Sequence, residues 1–560
     1  MNKLFIAWIS AMILVFGLLS PACSDNESDD ENISDGDIDA SAEDDAETSE
    51  NLELAEQGTE DGDVDDDAME SSGDDEMETE KPEDSEESAG MKWPGCDDRL
   101  PTQKLTFLHI NDLHSEYSTY AGDEYGSSVS RIVGYYKQVK TENPFTVFTN
   151  GGDDHEKGSI AEQLSEGYST VEIVKAMKFD VRVIGNHDFA WGEKELLDYV
   201  DDPESIVLAS NTEYVGENPS DFRAVKYAEL QVGCARVGFF GMTSKPYNEK
   251  NQQYDGDFFP GGNFHTDYDY AAVAGAIVAE HRDSVDVLVM VSHLGFGDDK
   301  ALAEQVPGID VILGGHSHTI MYEPEIVNGT LIVQSGSDGI FAGRLDLEID
   351  TVHGRIASHT YSLNMNLPTV MPLDDEFQQT LLEIMEKWAP DAFEPEGYLK
   401  NNHDYPSVGA ITCKAVNYIL DTDAALLDND EIWEAWHEGG MSRQDMLDSF
   451  QVEKQPAGSS GFNSFYTAEI GGADLIRVRD EMGEDWSFAG PESIDEGAVY
   501  RLALQKHAAF NPQDYLPSGV SITQVEEGDE VWKILDGYAR KRTEACLYVD
   551  ADESLPDCAR

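Results

Sequence analysis

The chain has 560 residues, enough for two or three domains with a full core each, and a formal net charge of -77 from 113 acidic against 36 basic residues. Such a surface repels nucleic-acid polymers and anionic lipid, and it would repel a phosphorylated substrate too unless bound cations inverted the local field. The six cysteines form no CxxC array, so a thiolate zinc site is not indicated.

In chain order, residues 1–23 place one cation, Lys3, before an apolar run over 4–19, with small residues at Ser20 and Ala22. That is a secretory signal pattern, and it lies outside the fold. Cys23 directly after Ala22 resembles the lipidated cysteine of a bacterial lipoprotein, although Ser20 and Pro21 depart from the usual box. Cleavage with release and an uncleaved anchor are the alternatives. The expectation is an exported protein, membrane-anchored or periplasmic to extracellular, that touches a membrane only through a lipid. Next comes an acidic linker over 24–95. Its residues 24–90 carry 31 acidic side chains against Lys81 alone, too polar to bury a core, so this stretch is expected to be a disordered, self-repelling tether.

From Leu105 the character changes to short apolar runs that end in polar or Gly-rich residues: LTFLHINDLH, FTVFTNGGDD, DVRVIGNHDF, SIVLASNT, RVGFFGMTS, DVLVMVSHLG, DVILGGHSH and LIVQSGSDG. Near-continuous β-branched and aromatic runs of this length read as buried strands. Helical patterns fall between several of them, at 130–140, 170–177 and 271–284. Alternating strands and helices predict a layered α/β domain over 100–365. A linker at 366–395, with a charged helix at 374–387, leads to a second, smaller α/β region at 396–550. That region opens with a helix at 408–420, and residues 551–560 form a tail.

Nearly every strand of the first region ends in a potential metal ligand: Asp112 and His114, then Asp153, Asn186 with His187, His293, and lastly His316 with His318. In open α/β sheets, chemistry collects where the carboxyl ends of strands converge. A lone histidine at a strand end is an ordinary polar residue. Five of the chain's 14 histidines at such ends, with two aspartates and an asparagine, are a constellation. Two divalent ions about 3.5–4 Å apart need a bridging carboxylate and neutral imidazoles around it. The mixture suits Zn, Mn, Fe, Co or Ni rather than calcium. Such a pair would activate water for in-line attack on phosphorus and neutralise the phosphate.

The motifs DLH at 112–114, GGD at 151–153, GNHD at 185–188, SHLG at 292–295 and GGHSH at 314–318 resemble the calcineurin-like metallophosphoesterases, specifically the 5′-nucleotidase branch. Segments such as SVGAITCKAVNYILDTDAALLD, MSRQDMLDSF and AVYRLAL look like that branch's C-terminal substrate domain, so the resemblance covers about residues 104–550. It implies a four-layer αββα sandwich followed by a smaller α/β substrate-binding domain. Asp112, His114 and His318 would hold one ion; Asn186, His293 and His316 would hold the other. Asp153 would bridge them, with Asp154 as its rival, because the spacing to Gly158-Ser159 fits Asp154 better. His187 would stand over the phosphate as the catalytic histidine.

Three departures limit the carry-over. The usual NHEFD reads NHDFA, so Ala190 replaces the acid that orients the catalytic histidine; either turnover is lowered or another acid supplies the contact. The usual substrate-gripping arginine turn reads DNDEIW at 428–433, and GGDGY reads NPQDY at 511–515. For the aromatic clamp on a nucleotide base, the candidates are His507 or Phe510 with Trp486 or Phe488, and each is also readable as a packing residue. The implied function is hydrolysis of small phosphate esters with two metal ions, in the manner of phosphate release from nucleotides. The alternatives are a phosphodiester, nucleotide-sugar or sulfur-ester substrate, or a weakened surface protein that binds ligand. A sulfur ester would call for a reactive cysteine near the C-terminus, and there Cys558 is readily bridged to Cys546.

Overall fold

The computed structural model describes residues 102–118, 125–156, 158–244, 247–248, 253–254, 263–450 and 464–556, all within one compact unit, Ser85–Arg560. The signal pattern with Cys23, the acidic linker and Cys558 lie outside them.

The first half builds two six-stranded sheets. In chain order its main elements are β1 (Thr102–Ile110), α1 (Ser127–Glu142), β2 (Thr146–Asn150), α2 (Tyr168–Met177), β3 (Val181–Val183), β4 (Ile206–Leu208), β5 (Ala228–Val232), β6 (Ala235–Thr243), α3 (Tyr270–His281), β7 (Val287–His293), α4 (Phe296–Gln305), β8 (Val311–Gly314), β9 (Glu325–Val327), β10 (Thr330–Gln334), β11 (Phe341–Asp350) and β12 (Arg355–Met365). One sheet runs β12-β11-β1-β2-β3-β4 and the other β9-β10-β8-β7-β6-β5. The inner strands of each are parallel: β1 through β4 in the first, and β6, β7, β8 and β10 in the second.

Side-chain alternation along these strands explains the layering. On β1, Leu105 and Phe107 join a core shared with Phe239, Val289, Val311 and Val333 of the other sheet, so the two sheets pack face to face. Phe107 and Phe239 meet edge to face across that interface, their ring centroids 6.1 Å apart. The opposite parity of β1, Leu108 and Ile110, packs outward on Val129 and Ile132 of α1. Likewise Leu288 and Met290 of β7 turn from the sheet interface to Ala274 of α3 and Leu302 of α4. Helices, sheet, sheet, helices: this is the four-layer αββα order. All eight expected strands are present. The hairpin of β11 and β12 was not expected, because buried Leu345, Leu347 and Ile349 of β11 alternate with charged residues and β12 is largely exposed, so neither shows a continuous apolar run.

The second half begins with α5 (Asp375–Trp388) and α6 (Tyr405–Leu420), followed by β13 (Ala424–Asp428), α7 (Arg443–Asp448), β14 (Ser464–Gly471), β15 (Trp486–Ala489), β16 (Val499–Gln505), β17 (Ile522–Glu530) and α8 (Val531–Glu544). Five of its strands form one mixed sheet ordered β15-β13-β16-β14-β17. Asp374 caps α5 by accepting from the Phe377 amide, and Asp404 caps α6 through Ser407, so both helices start where an N-cap acid stands. One apolar cluster runs from Leu108 through Leu381 and Met385 of α5 to Val416 and Leu535, so α5 joins the two halves through a continuous core. Cys234 and Cys546 are each in a disulfide, and Cys413 is a buried free thiol. The bridge at Cys234 was not foreseen. No helix among the described residues is long and apolar enough to cross a membrane.

Candidate metal centre

Five strands of the two sheets end at one crevice. β1 delivers Asp112 and His114, β2 Asp153, β3 Asn186 and His187, β7 His293, and β8 His316 and His318. Two clusters of potential ligand atoms result, Asp112 with His114 and His318, and Asp153 with His293 and His316; within each, the atoms lie within 4.8 Å of one another. In the first, His114 Nε2 is 3.0 Å from His318 Nε2 and His318 Nε2 is 3.3 Å from Asp112 Oδ1. In the second, His293 Nε2 is 2.9 Å from Asp153 Oδ2 and 3.1 Å from Asn186 Oδ1.

The backbone is bent to achieve this. Asp112, His114, Asp153, His316 and His318 all have positive φ, between 53° and 74°. Such left-handed residues are uncommon outside glycine, cost of order 1–3 kcal/mol each, and gather at functional sites. Backbone hydrogen bonds hold the loops in that shape: the amides of Asp112 and His114 donate to Gly152 O and Asp153 O, both at 2.9 Å. Glycines make the close approach possible. A Cβ at Gly185 would stand 2.1 Å from Asp153 Oδ1, and one at Gly315 would stand 2.6 Å from Gly151 O and 3.0 Å from His293 Nδ1.

The donors fit divalent cations. His293 Nδ1 faces the carbonyl of Gly151 at 2.6 Å, so Nδ1 carries the proton and Nε2 presents a lone pair. That lone pair faces two further acceptors, the Asp153 carboxylate and the Asn186 amide oxygen, to which Ser244 donates. Three acceptors converging on one point require a cation or an extra proton. Burial opposes an imidazolium at His293, but Asp153 and then Asp112 outweigh it and hold the ring up to about 10. Burial, with His293 next, pushes His316 down to about 4, so it stays neutral and able to ligate. Burial likewise works against the Asp153 carboxylate, yet His293, His187 and His114 hold it well below the usual range. His114 Nδ1 faces His155 O at 3.2 Å, which turns its Nε2 toward the first cluster.

Of the two candidate bridging acids, the structure brings Asp153 to the ligands. Asp154 points away: its carboxylate accepts from Asn150 and Tyr199 at 2.6 Å each, and burial with the nearby Asp188 charge pushes it up to about 6. His187 lies beside both clusters, its amide donating to Asp153 Oδ1 at 2.7 Å and its ring centroid 5.1 Å from that of His114. His507 and Phe510, by contrast, find their partners within the second half. His507 lies tilted against Trp486 and edge-on to Tyr515, with ring centroids 6.1 and 4.6 Å away, and burial lowers it to about 4. Phe510 packs edge-on to Tyr466 and remains exposed.

Comparison with known proteins identifies the first half. The family pattern described as calcineurin-like phosphoesterase matches residues 105–319. These residues form a calcineurin-like metallophosphoesterase domain. The phosphoesterase domain is homologous to 5′-nucleotidases: the human 5′-nucleotidase is 26% identical over 294 residues, covering 47% of this chain and 50% of that protein. An uncharacterised metallophosphoesterase of Bacillus subtilis, YunD, is 28% identical over 267 residues, covering 47% of this chain and 54% of its own length. The chain thus spans about half the length of the relatives it matches. Its fold is similar to that of a 5′-nucleotidase precursor from Thermus thermophilus, with TM-score 0.57, 18% identity, and coverage of 78% of this chain and 96% of that one.

Around the phosphoesterase domain's candidate ligands stand further residues with no role in the sequence reading. Asp188 accepts the amides of Asp154 and Gly185 at 2.9 and 2.8 Å, and it meets the ring of the fully buried His155 at 2.9 Å. His155 Nε2 lies 3.0 Å from Glu195 Oε1, an ion-pair distance off the hydrogen-bond axis. Burial disfavours its charge, but Glu195 and Asp188 together hold the imidazolium well above the usual range. Glu156, in the same loop, meets His187 Nδ1 with its carboxylate. The sequence signals were the density of charge in DDHE at 153–156, which holds His155 and Glu156, and the GNHD motif at 185–188, which ends in Asp188; nothing marked Glu195.

Proposed function

We propose that the protein is an exported phosphoesterase that hydrolyses small phosphate monoesters at a pair of divalent cations, with nucleoside monophosphates as its leading substrate class. The observation that carries the proposal is the pairing of two ligand clusters at the carboxyl ends of five strands, with His187 beside both. In this reading Asp112, His114 and His318 hold one cation, Asn186, His293 and His316 the other, and Asp153 serves both. Bound there, the cations would supply Lewis acidity and a nucleophile at neutral pH.

The chain's own residues do the rest. Asp153 positions His187 by accepting its amide, and Gly151 O and His155 O fix the ring faces of His293 and His114. His187, held through Nδ1, presents Nε2 to the ester and donates a proton to the leaving oxygen. Neutralisation at the crevice lets an anion approach a chain of net charge -77. The disulfides at Cys234 and Cys546 support an oxidising compartment and hence export, with Cys23 as the proposed lipid anchor. Residues 396–550 are proposed as the substrate domain. The aromatic group of His507, Trp486, Tyr515 and the exposed Phe510 is its candidate surface for a base.

The test is release of phosphate from 4-nitrophenyl phosphate and from AMP by the purified protein, with and without chelator. Chelator-sensitive release from both supports the reading. Release from the aryl ester alone removes the nucleotide, and tight metal binding without turnover on any ester assigns the protein to ligand binding instead.

A further inference from the structure

His187 lies in the turn His187–Phe189, and position 190, three residues on, is alanine. Residues three apart in such a tight turn eclipse one another, so a side chain at 190 would be placed beside the His187 ring. Ala190 offers no polar group there. The ring nevertheless meets a carboxylate at Nδ1, from a different strand end: Glu156 Oε2, in the loop after β2.

That contact is built in. Glu156 is in the left-handed region, φ 65°, and its side chain is 3% exposed. Its amide donates to Glu162 Oε1 at 2.6 Å, and Glu162 in turn accepts from Trp191 Nε1 at 3.0 Å and Thr170 Oγ1 at 2.5 Å. On the other side, His155 is clasped by Asp188 and Glu195. A strained, buried residue pinned on both flanks is over-determined, and strain of this kind is retained where a direction matters. With Asp153 as the loop's proposed ligand, Glu156 is the one, among the described residues 154–156, whose side chain meets His187.

Resting on the phosphoesterase reading above, we propose that Glu156 is the positioning residue for His187, an acid supplied from the β2 loop in place of one at position 190. It accepts the Nδ1 proton, fixes the tautomer and ring angle, and raises the basicity of Nε2, the nitrogen that serves the leaving oxygen. No bond is made or broken at Glu156 itself.

Glu156→Gln keeps the shape of the side chain and removes its charge. The expected result is a fall in kcat of about 100-fold on an alkyl phosphate, whose leaving oxygen needs the proton, against less than about tenfold on 4-nitrophenyl phosphate, whose leaving group does not. KM and bound metal should be unchanged. Adding Ala190→Asp should restore at least about tenfold of the alkyl-ester loss. Equal losses on both esters, loss of metal, or no recovery with Asp at 190 would overturn the proposal. Nitrogen-15 NMR of the imidazoles reads the same contact without turnover. A hydrogen-bonded Nδ1 proton on His187 that shifts when Glu156→Gln replaces the carboxylate with a neutral acceptor, and that disappears in Glu156→Ala, sustains it in a chain that hydrolyses nothing; a His187 signal unchanged in both refutes it.

Discussion

Asp299 shows how one buried side chain can be read through pH. It sits in the first turn of α4, fully buried, with one oxygen accepting from Ser292 and the other without a partner. Burial, and Asp298 after it, pushes its carboxyl up to about 7. A carboxyl raised in the folded state binds a proton that the unfolded chain has released. Its stabilising contribution is therefore present below the ordinary range and lost as pH rises through about 7. Asp299→Asn keeps the acceptor for Ser292 and cannot ionise. We expect its melting temperature to gain on the wild type between pH 5 and pH 8, by an amount worth on the order of 2–3 kcal/mol. A difference that is the same at both pH values would contradict this. At Asp153 the same scale gives a binding prediction. Asp153→Asn removes the carboxylate proposed to serve both cations, and bound metal should fall at least about tenfold, since even residues outside the first coordination sphere cost that much. Asp154→Asn should hold its metal, because Asp154 faces Tyr199 and Asn150.

At the scale of elements, the loop after β3 is a test of close packing. Gly185 lets the turn carrying Asn186 and His187 lie against Asp153, and a methyl group there would stand 2.1 Å from the carboxylate oxygen and 2.4 Å from the Asp153 amide. Gly185→Ala should therefore lose metal affinity and at least about 1–3 kcal/mol of stability, measured by metal titration and thermal melting together. A variant with normal affinity would show that the turn has room. Much at this scale was legible in the sequence. The eight apolar runs are strands because parallel strands buried on both faces need continuous apolar residues, and five of them end in candidate ligands because the crevice lies there. What was illegible has a physical reason as well. Glu156 and Asp188 act through left-handed backbone and amide contacts between loops, and neither leaves a periodic trace. The β11–β12 hairpin alternates with charged residues on an exposed face and so resembles a loop. That Asp154 faces away from the other candidate ligands, taken by Tyr199, has no trace in the sequence.

For the whole molecule, the two halves meet at the loop that carries the ligands. Gln444 on α7 donates to Gly158 O at 2.8 Å and accepts from the Ile160 amide at 3.0 Å, from nearly three hundred residues away in sequence. Gln444→Ala would leave a buried amide and a carbonyl unsatisfied, costing about 2–4 kcal/mol. We expect a lower melting temperature and a rise in the protease sensitivity of the 151–160 loop; a variant as stable as the wild type would show that the halves are held by the α5 core alone. A change in pattern near 366–395 divides the sequence, but the apolar core that runs across it was not legible, because side chains that meet across 250 residues share no local signal. The excess of acid was plain from the outset, and its consequence for an anionic substrate comes back to the same few ångströms of crevice.

The most direct measurement is the number of divalent ions the intact protein binds, by elemental analysis after equilibration with Zn or Mn. The two ligand clusters predict two ions per chain for the wild type, and one or none for His318→Ala. A wild-type chain that retains no metal, or a variant that binds as many ions as the wild type, would contradict the account.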